Sequence, residues 1–193
     1  MWDWTSYIEV YKGVFDYKFR SRPLTVPKKE CTTFYGSTAL TQGIIQPSLW
    51  YDGNDMHALF RSSKGLGYIY HSTCHRDEQE DGLLNEEFFN GWTDPEPTEL
   101  ENPNSGIDTV FHNDRLFLVH NPSSVIREPL IISELNPDYL TVEDSLEITE
   151  TADTDVGILT HELSYPYMIE HDGKLHLVYT YGRVKIEYVV IEI

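Results

Sequence analysis

Two carboxylates, a phenol and a few arginines are the groups through which this sequence could do chemistry. Asp108 closes the run Asn104-Ser105-Gly106-Ile107-Asp108, and Glu162 stands three residues before Tyr165. Carboxyl groups suit general acid and base work when their surroundings tune their pKa values to the task. A phenol becomes a useful nucleophile only beside a group that takes its proton. In an extended segment an odd offset puts Glu162 and Tyr165 on opposite faces, so direct contact between them is not expected. Asn104 and Ser105 offer amide and hydroxyl groups from one loop. The plainer readings are a turn-capping Asp108 after Gly106 and a packed Tyr165 ahead of Pro166. Arg61, Arg127 and Arg183 belong to a set of only seven arginines facing 32 acidic residues. A planar guanidinium meets a carboxylate with two charge-assisted hydrogen bonds. The same three arginines could equally be surface groups paired with the chain's own acids.

Other chemistries find little support. His71, Cys74 and His75 have metal-ligand character but lack a second ligand pair at a suitable spacing, so no metal is expected. His112, His120, His161, His171 and His176 are expected on the surface or rim. No phosphate loop, dinucleotide fingerprint or nucleophile elbow occurs, and no cofactor is expected. The acidic stretches Glu78–Glu87 and Glu143–Asp155 read as solvated loops without calcium-loop spacing. A net charge of −18 argues against nucleic acid and against an anionic membrane as partners, because both would be repelled. No apolar run reaches the ~18 residues of a spanning helix. The opening residues lack the basic and apolar regions of a signal peptide. A soluble protein is expected, with its compartment unread; Cys31 and Cys74, the only cysteines, exclude a disulfide-dense scaffold and say nothing of redox surroundings.

The positioning elements follow from a repeat. Residues 46–61, 106–121 and 165–180 each read as strand, tight turn, strand, turning at Asp52-Gly53, His112-Asn113-Asp114 and Asp172-Gly173. Met56, Leu116 and Leu175 are then equivalent positions. Each hairpin is followed by another β-rich run, at 67–72, 129–133 and 184–193. Residues 77–90 come nearest to a helical pattern, but Gly82 and the acidic bias favour a loop with at most a short helix. Three or four strands per unit of roughly 60 residues is the arithmetic of a propeller blade, with a sandwich of hairpins as the alternative. At about 150 residues per domain, 193 residues make one domain, and 13% aromatics can furnish a core. The expected division is an irregular segment 1–43, with outer strands at most, and blades over 44–193. Three blades cannot close a ring, so an apolar flank is expected in water.

Over roughly residues 43–193 the sequence resembles the sialidase superfamily, in particular its BNR-repeat "predicted neuraminidase" group. The carriers are Ile45-Gln46-Pro47-Ser48, Ala58-Leu59-Phe60-Arg61-Ser62 and Asn102-Pro103-Asn104-Ser105-Gly106-Ile107-Asp108. To these are added Val119-His120-Asn121-Pro122-Ser123 with Arg127, Leu163-Ser164-Tyr165-Pro166, and Leu177-Val178-Tyr179-Thr180-Tyr181-Gly182-Arg183. The resemblance implies an all-β fold, a β-propeller of the six-bladed sialidase type, present here only in part as about three blades and corresponding to the C-terminal half. The family's Asp-boxes, which are folding elements, are degraded in this chain.

The resemblance also implies roles. Arg61 and Arg127 match the second and third arginines of a triad that grips a sugar carboxylate, and Arg183 is a weaker candidate. Gln46 stands where the family has the Glu that activates its nucleophile, and an amide cannot take that proton. Leu163 stands where the family has the nucleophilic Tyr, which leaves Glu162 and Tyr165 as a shifted pair. The family's acid/base Asp falls outside the chain, so Asp108 and Glu162 are the carboxylates left for that work, with Asn104 and Ser105 available to sugar hydroxyls. The implied function is a sialidase-like glycoside hydrolase homologue acting on or binding an acidic sugar, weak or inactive as this chain alone. A non-catalytic carbohydrate-binding or structural β-module is the alternative. Expected partners are a carbohydrate and either a second copy or a missing N-terminal half.

Overall fold

The hairpins close on turns that their residues are suited to make. Asn113 and Asp114 take φ of 51° and 60°, and Asp172 and Gly173 take 52° and 72°. Two successive left-handed residues give the twist that a two-residue hairpin needs, and Asn, Asp and Gly tolerate it best. At the first hairpin Asp52 Oδ1 accepts the N–H groups of Asn54 and Asp55, both at 2.7 Å.

The computed structural model describes residues 2–11, 18–26, 41–63, 65–75, 90–149 and 161–193. Cys31, residues 77–89 and residues 150–155, on which expectations were placed, lie outside them. The strands are β1 (Trp2–Trp4), β2 (Glu9–Tyr11), β3 (Lys18–Arg20), β4 (Thr41–Tyr51), β5 (Asp55–Ser62), β6 (Tyr68–His75) and β7 (Glu96–Glu101). They continue as β8 (Asp108–His112), β9 (Arg115–His120), β10 (Leu130–Leu135), β11 (Val142–Thr149), β12 (Leu163–His171), β13 (Lys174–Tyr181) and β14 (Lys185–Glu192). Three sheets result: β1-β4-β5-β6-β7, β8-β9-β10-β11 and β12-β13-β14, with β2 and β3 pairing as a separate hairpin. Every pairing is antiparallel except that of β1 with β4. The repeat holds in space, since Met56, Leu116 and Leu175 are each the second residue of β5, β9 and β13. No described helix is long and apolar enough to cross a membrane.

Burial along those three strands shows how the sheets are layered. β9 is buried from Leu116 to His120. Leu116 and Leu118 join Trp50, Leu59 and Ile69 of the first sheet, whereas Phe117 and Val119 join Leu175, Leu177 and Tyr179 of the third. A strand covered on both faces reads as a continuous apolar run because alternation has no water-facing side to mark. β5 is likewise covered twice. Its second cover is Ile8, Leu24 and Val26, which pack with Ala58 and Phe60, and Ser6 Oγ ties that segment to the Ile44 carbonyl at 2.9 Å. β13 alternates, with Leu175, Leu177, Tyr179 and Tyr181 buried and the residues between them half-exposed. Each fully buried Leu in these layers contributes about 1.5–3 kcal/mol.

One histidine expectation changes. His120 is not at the rim: both faces of β9 are covered, and the ring is buried with Nε2 3.0 Å from Ser133 Oγ. His71, Cys74 and His75 do not converge: strand parity turns Cys74 to the face opposite both histidines, and each histidine has a different partner. Cys74 enters the core with Phe60, His75 pairs with Asp55, and His71 Nε2 lies 3.1 Å from His57 Nδ1 in a stack under Trp50. Among the described residues no three His, Cys, Asp or Glu side chains are grouped to hold a metal.

Burial lowers both His120 and His71 to about 4, with the neighbouring His57 adding to the effect at His71. A folded pKa below the unfolded value of about 6.5 favours the neutral ring in the fold. Stability is therefore complete above pH 6.5 and declines as pH falls towards 4, by about 2–3 kcal/mol for the fully buried His120. Urea midpoints across this window should fall with pH, and His120→Gln should flatten part of the slope; an unchanged slope would show that His120 titrates normally.

Candidate functional site

Three residues with an unusual backbone lie in or just ahead of β4, β8 and β12. Gln46 has φ 52° at a bulge in β4, Tyr165 has φ 52° at a bulge in β12, and Asn104 has φ 63° just ahead of β8. Asn accepts the left-handed region readily, but Gln and Tyr do so at a cost of order 1–3 kcal/mol each. Strain of this kind persists where packing and hydrogen bonds hold it. Gly106 lies against this segment, where a Cβ would meet Tyr165 Cα at 3.4 Å, an ordinary van der Waals distance.

Three guanidinium groups gather on these residues. Arg61, buried at the end of β5, donates to Gln46 Oε1 at 2.9 Å and to Asn104 Oδ1 at 3.0 Å. Arg127 donates to the Asn104 carbonyl and to Glu162 Oε1, both at 2.6 Å. Arg183, in the β13–β14 turn, donates to Glu162 Oε2 at 2.7 Å. The Tyr165 ring is half-exposed, with the Arg61 and Arg127 guanidinium carbons 6.0 and 5.9 Å from its centroid.

These contacts separate the protonation behaviour of Glu162 and Tyr165. Burial would raise the Glu162 carboxyl, but hydrogen bonds from Arg183, Ser164 and Arg127 outweigh it and hold the group below the usual carboxylate range. A carboxylate so held is a poor general base. A hydrogen bond from Arg61 lowers the Tyr165 phenol; burial opposes this, and the charges of Arg61 and Arg127 reinforce it. Burial depresses Arg61 itself, the Tyr165 contact opposes this, and the charge of Arg127 adds to the depression.

The expected site residues therefore divide. Gln46, Arg61, Asn104, Arg127, Glu162, Tyr165 and Arg183 form one hydrogen-bonded and stacked cluster. Glu162 and Tyr165 share Arg127 because the bulge at Tyr165 breaks the strand alternation that would have kept them apart. Ser105 is fully buried, its N–H and C=O both bonded to the Asn102 side chain, so it shapes the loop that presents Asn104. Leu163 is a core residue.

Asp108 stands apart from the arginines. Its Oδ1 accepts Ser48 Oγ at 2.8 Å and the Thr109 N–H at 3.0 Å, and its Oδ2 accepts the Met168 N–H at 2.8 Å. One carboxylate thus bonds β4, β8 and β12, one strand from each sheet. Sequence reasoning did not foresee three helpers: Ser48, Ser164, whose Oγ donates to Glu162 at 2.8 Å, and Asn121, which donates to the Pro129 and Leu163 carbonyls. Ser48 had a signal, since it occupies in the first repeat the place of Asp108 in the second.

Two outcomes test this division. Asp108→Asn should destabilise the protein by about 2–3 kcal/mol in urea unfolding, because the amide sets a donor against the Met168 or Thr109 N–H. Arg61→Ala should raise the Tyr165 phenol towards its ordinary value, read as the phenolate absorbance difference between proteins with and without Tyr165→Phe. A Tyr165 titration indifferent to Arg61 would break the proposed contact.

Comparison with known proteins agrees with the all-β architecture. The chain is similar in fold to a protein of unknown function from Dyadobacter fermentans, with a TM-score of 0.53 at 17% identity over 84% of this chain and 37% of that one. It is also similar to an exo-beta-1,3-galactanase from Phanerochaete chrysosporium, with a TM-score of 0.50 at 13% identity over 90% of this chain and 37% of the other. The chain thus spans well under half the length of either structure. No curated protein matches it. Residues 25–177 match the BNR repeat-like domain, covering the first two hairpins, most of the third and most of the arginine cluster, and the chain belongs to that family.

Proposed function

We propose that the three sheets are successive blades of a partial six-bladed propeller of the sialidase type, and that the arginine cluster grips the carboxylate of an acidic sugar. The observation that carries this reading is the pairing of Arg61 and Arg127 across the half-exposed Tyr165 ring. Three arginines gather around one carboxylate, Glu162, which only two of them contact, and this leaves a local excess of positive charge in a chain of net charge −18. Arg127 and Arg183 are committed to Glu162. Arg61 instead holds the neutral oxygens of Gln46 and Asn104, and a carboxylate in their place would make hydrogen bonds about twice as strong. The Tyr165 ring offers a flat apolar surface to the ligand, and Asn104 offers an amide to its hydroxyls.

The chemistry supports binding more than turnover. Gln46 cannot take a proton, Leu163 is buried in the core, Glu162 is held ionised by its partners, and Asp108 is occupied by three donors. General acid–base help is typically worth ~10²–10⁴-fold, and groups that act as a unit lose most of the rate when one is missing. The reading of a carbohydrate-binding module gains from the same facts.

Calorimetric titration with free sialic and uronic acids should show Arg61→Ala weakening binding by ~1.5–3 kcal/mol, the range for a hydrogen bond to a charged group. Unchanged binding, or binding lost together with the fold, would reassign Arg61 to structure. Release of a fluorogenic aglycone from a sialoside by the wild-type chain should stay at the level of a Tyr165→Phe, Glu162→Gln control. Robust turnover would instead make Glu162, Tyr165 and Asp108 a working catalytic set.

A further inference from the structure

Arg183 reaches Glu162 through Nε, at 2.7 Å. Among the described residues nothing meets its two terminal nitrogens, and the side chain is 58% exposed. Arg127 differs, since Nη1 is bonded to Glu162 and Nη2 to the Asn104 carbonyl. A guanidinium with an exposed Nη edge keeps the paired donors that grip an oxyanion with two parallel hydrogen bonds. The backbone shows that this side chain is held in place against local preference. Gly182 and Arg183 take φ of 56° and 60° in the turn between β13 and β14, which the Val184 N–H closes on the Tyr181 carbonyl at 3.0 Å. Gly or Asn suits the second of these positions, and a long side chain does not. Glu162 anchors the turn twice, its carbonyl accepting the Gly182 N–H at 2.8 Å and its carboxylate accepting Arg183. Arg183 thus joins Gln46, Asn104 and Tyr165 as a left-handed residue of the cluster, and such strain gathers at functional sites.

We infer that Arg183 is a second anion seat, and that the ligand of the cluster is an acidic sugar with a further anionic group, a sulfate ester or another carboxylate, on the same or the next sugar unit. This rests on the reading of the cluster as a site for a sugar carboxylate. Charge is the first support. Arg61, Arg127 and Arg183 bring three positive charges, and Glu162 brings one negative charge. A sugar with one carboxylate leaves one of the remaining two unmatched, and a second acid matches it. Placement is the next. Arg127 and Arg183 sit on different oxygens of Glu162, so that carboxylate separates Arg183 from an anion held by Arg61 and Arg127. Glu162 is buried and also accepts the Ser164 hydroxyl at 2.8 Å, so it does not swing aside to let one ligand carboxylate reach all three arginines.

The two seats still belong to one opening. Glu162 holds the Arg183 guanidinium above its usual range, and the charge of the Tyr165 phenol adds to this, while the same ring lies beside Arg61 and Arg127. The size of the ligand follows from the rest of the molecule. A chain of net charge −18 repels a long polyanion, so two acid groups on a short saccharide suit the site better than a polymer of acids.

Calorimetric titration of the full chain with two pairs of probes tests the second seat. Galacturonic acid is set against digalacturonic acid, and an unsaturated uronate–N-acetylgalactosamine disaccharide against its 6-sulfate. In at least one pair the probe with the added acid should bind more tightly by roughly tenfold or more, as a hydrogen bond to a charged group allows. Arg183→Gly and Arg183→Asn should each abolish that advantage. Both residues suit the left-handed turn, so a folded variant without the guanidinium is at hand, and urea midpoints identify it. Arg61→Ala should instead weaken both members of a pair together and leave their ratio. Equal binding within both pairs, with the single acids bound, would overturn the second seat and leave the carboxylate reading standing. An advantage that survives in the folded Arg183 variants would overturn it as well. Failure of every probe to bind would overturn the carboxylate reading itself, and the second seat with it.

Discussion

The Asp108 carboxylate is the constraint on which the assembly rests. Neighbouring sheets are joined mainly by side-chain packing, which is strong but tolerant of sliding. Hydrogen bonds from Ser48, Thr109 and Met168 to one carboxylate are directional, and they fix β4, β8 and β12 relative to one another at the level of single residues. An acid here is costly to bury without donors, and the donors are costly to bury without it. Each partner therefore requires the other. The arginine cluster draws Gln46 from β4, Asn104 from the segment ahead of β8 and Tyr165 from β12, so its distances inherit their precision from a residue that touches none of the three arginines.

Electrostatics then decides what the cluster can tolerate. Arg127 would be expensive beside Arg61 without compensation, and Glu162 supplies it while also holding Arg183. One negative charge serves two positive ones, which leaves Arg61 to be met by amides and a phenol. The left-handed Gln46 and Tyr165 are strained by the same arrangement, since their bulges turn these two side chains towards the guanidinium groups instead of along the regular pleat.

Much of the frame was legible in the residues. Asp-Gly and Asn-Asp turns between apolar runs marked the hairpins, and the recurrence of Met56, Leu116 and Leu175 marked the units. The arginines, Asn104 and Gln46 were found through their place in the family pattern, and the structure brings them together. What escaped was anything that breaks strand alternation. The meeting of Glu162 and Tyr165 at Arg127 depends on a bulge, and a bulge has no periodic signature. His120 was misplaced because a polar residue in an apolar run looks like a strand end, whereas a sheet covered on both sides has no polar face to offer. Asp108 stood open between a cap and an acid, and only the partners that converge on it from other repeats decide between them.

The three arginines do not occupy equivalent places in the three repeats. Where the first repeat has Arg61, the second has Asn121 and the third Thr180. Copying one unit could therefore never have copied the site. The frame recurs from unit to unit while the charged groups do not, each arginine standing at a different position of its own unit. The site is accordingly asymmetric, with Arg61 facing amide oxygens and Arg127 and Arg183 facing a carboxylate.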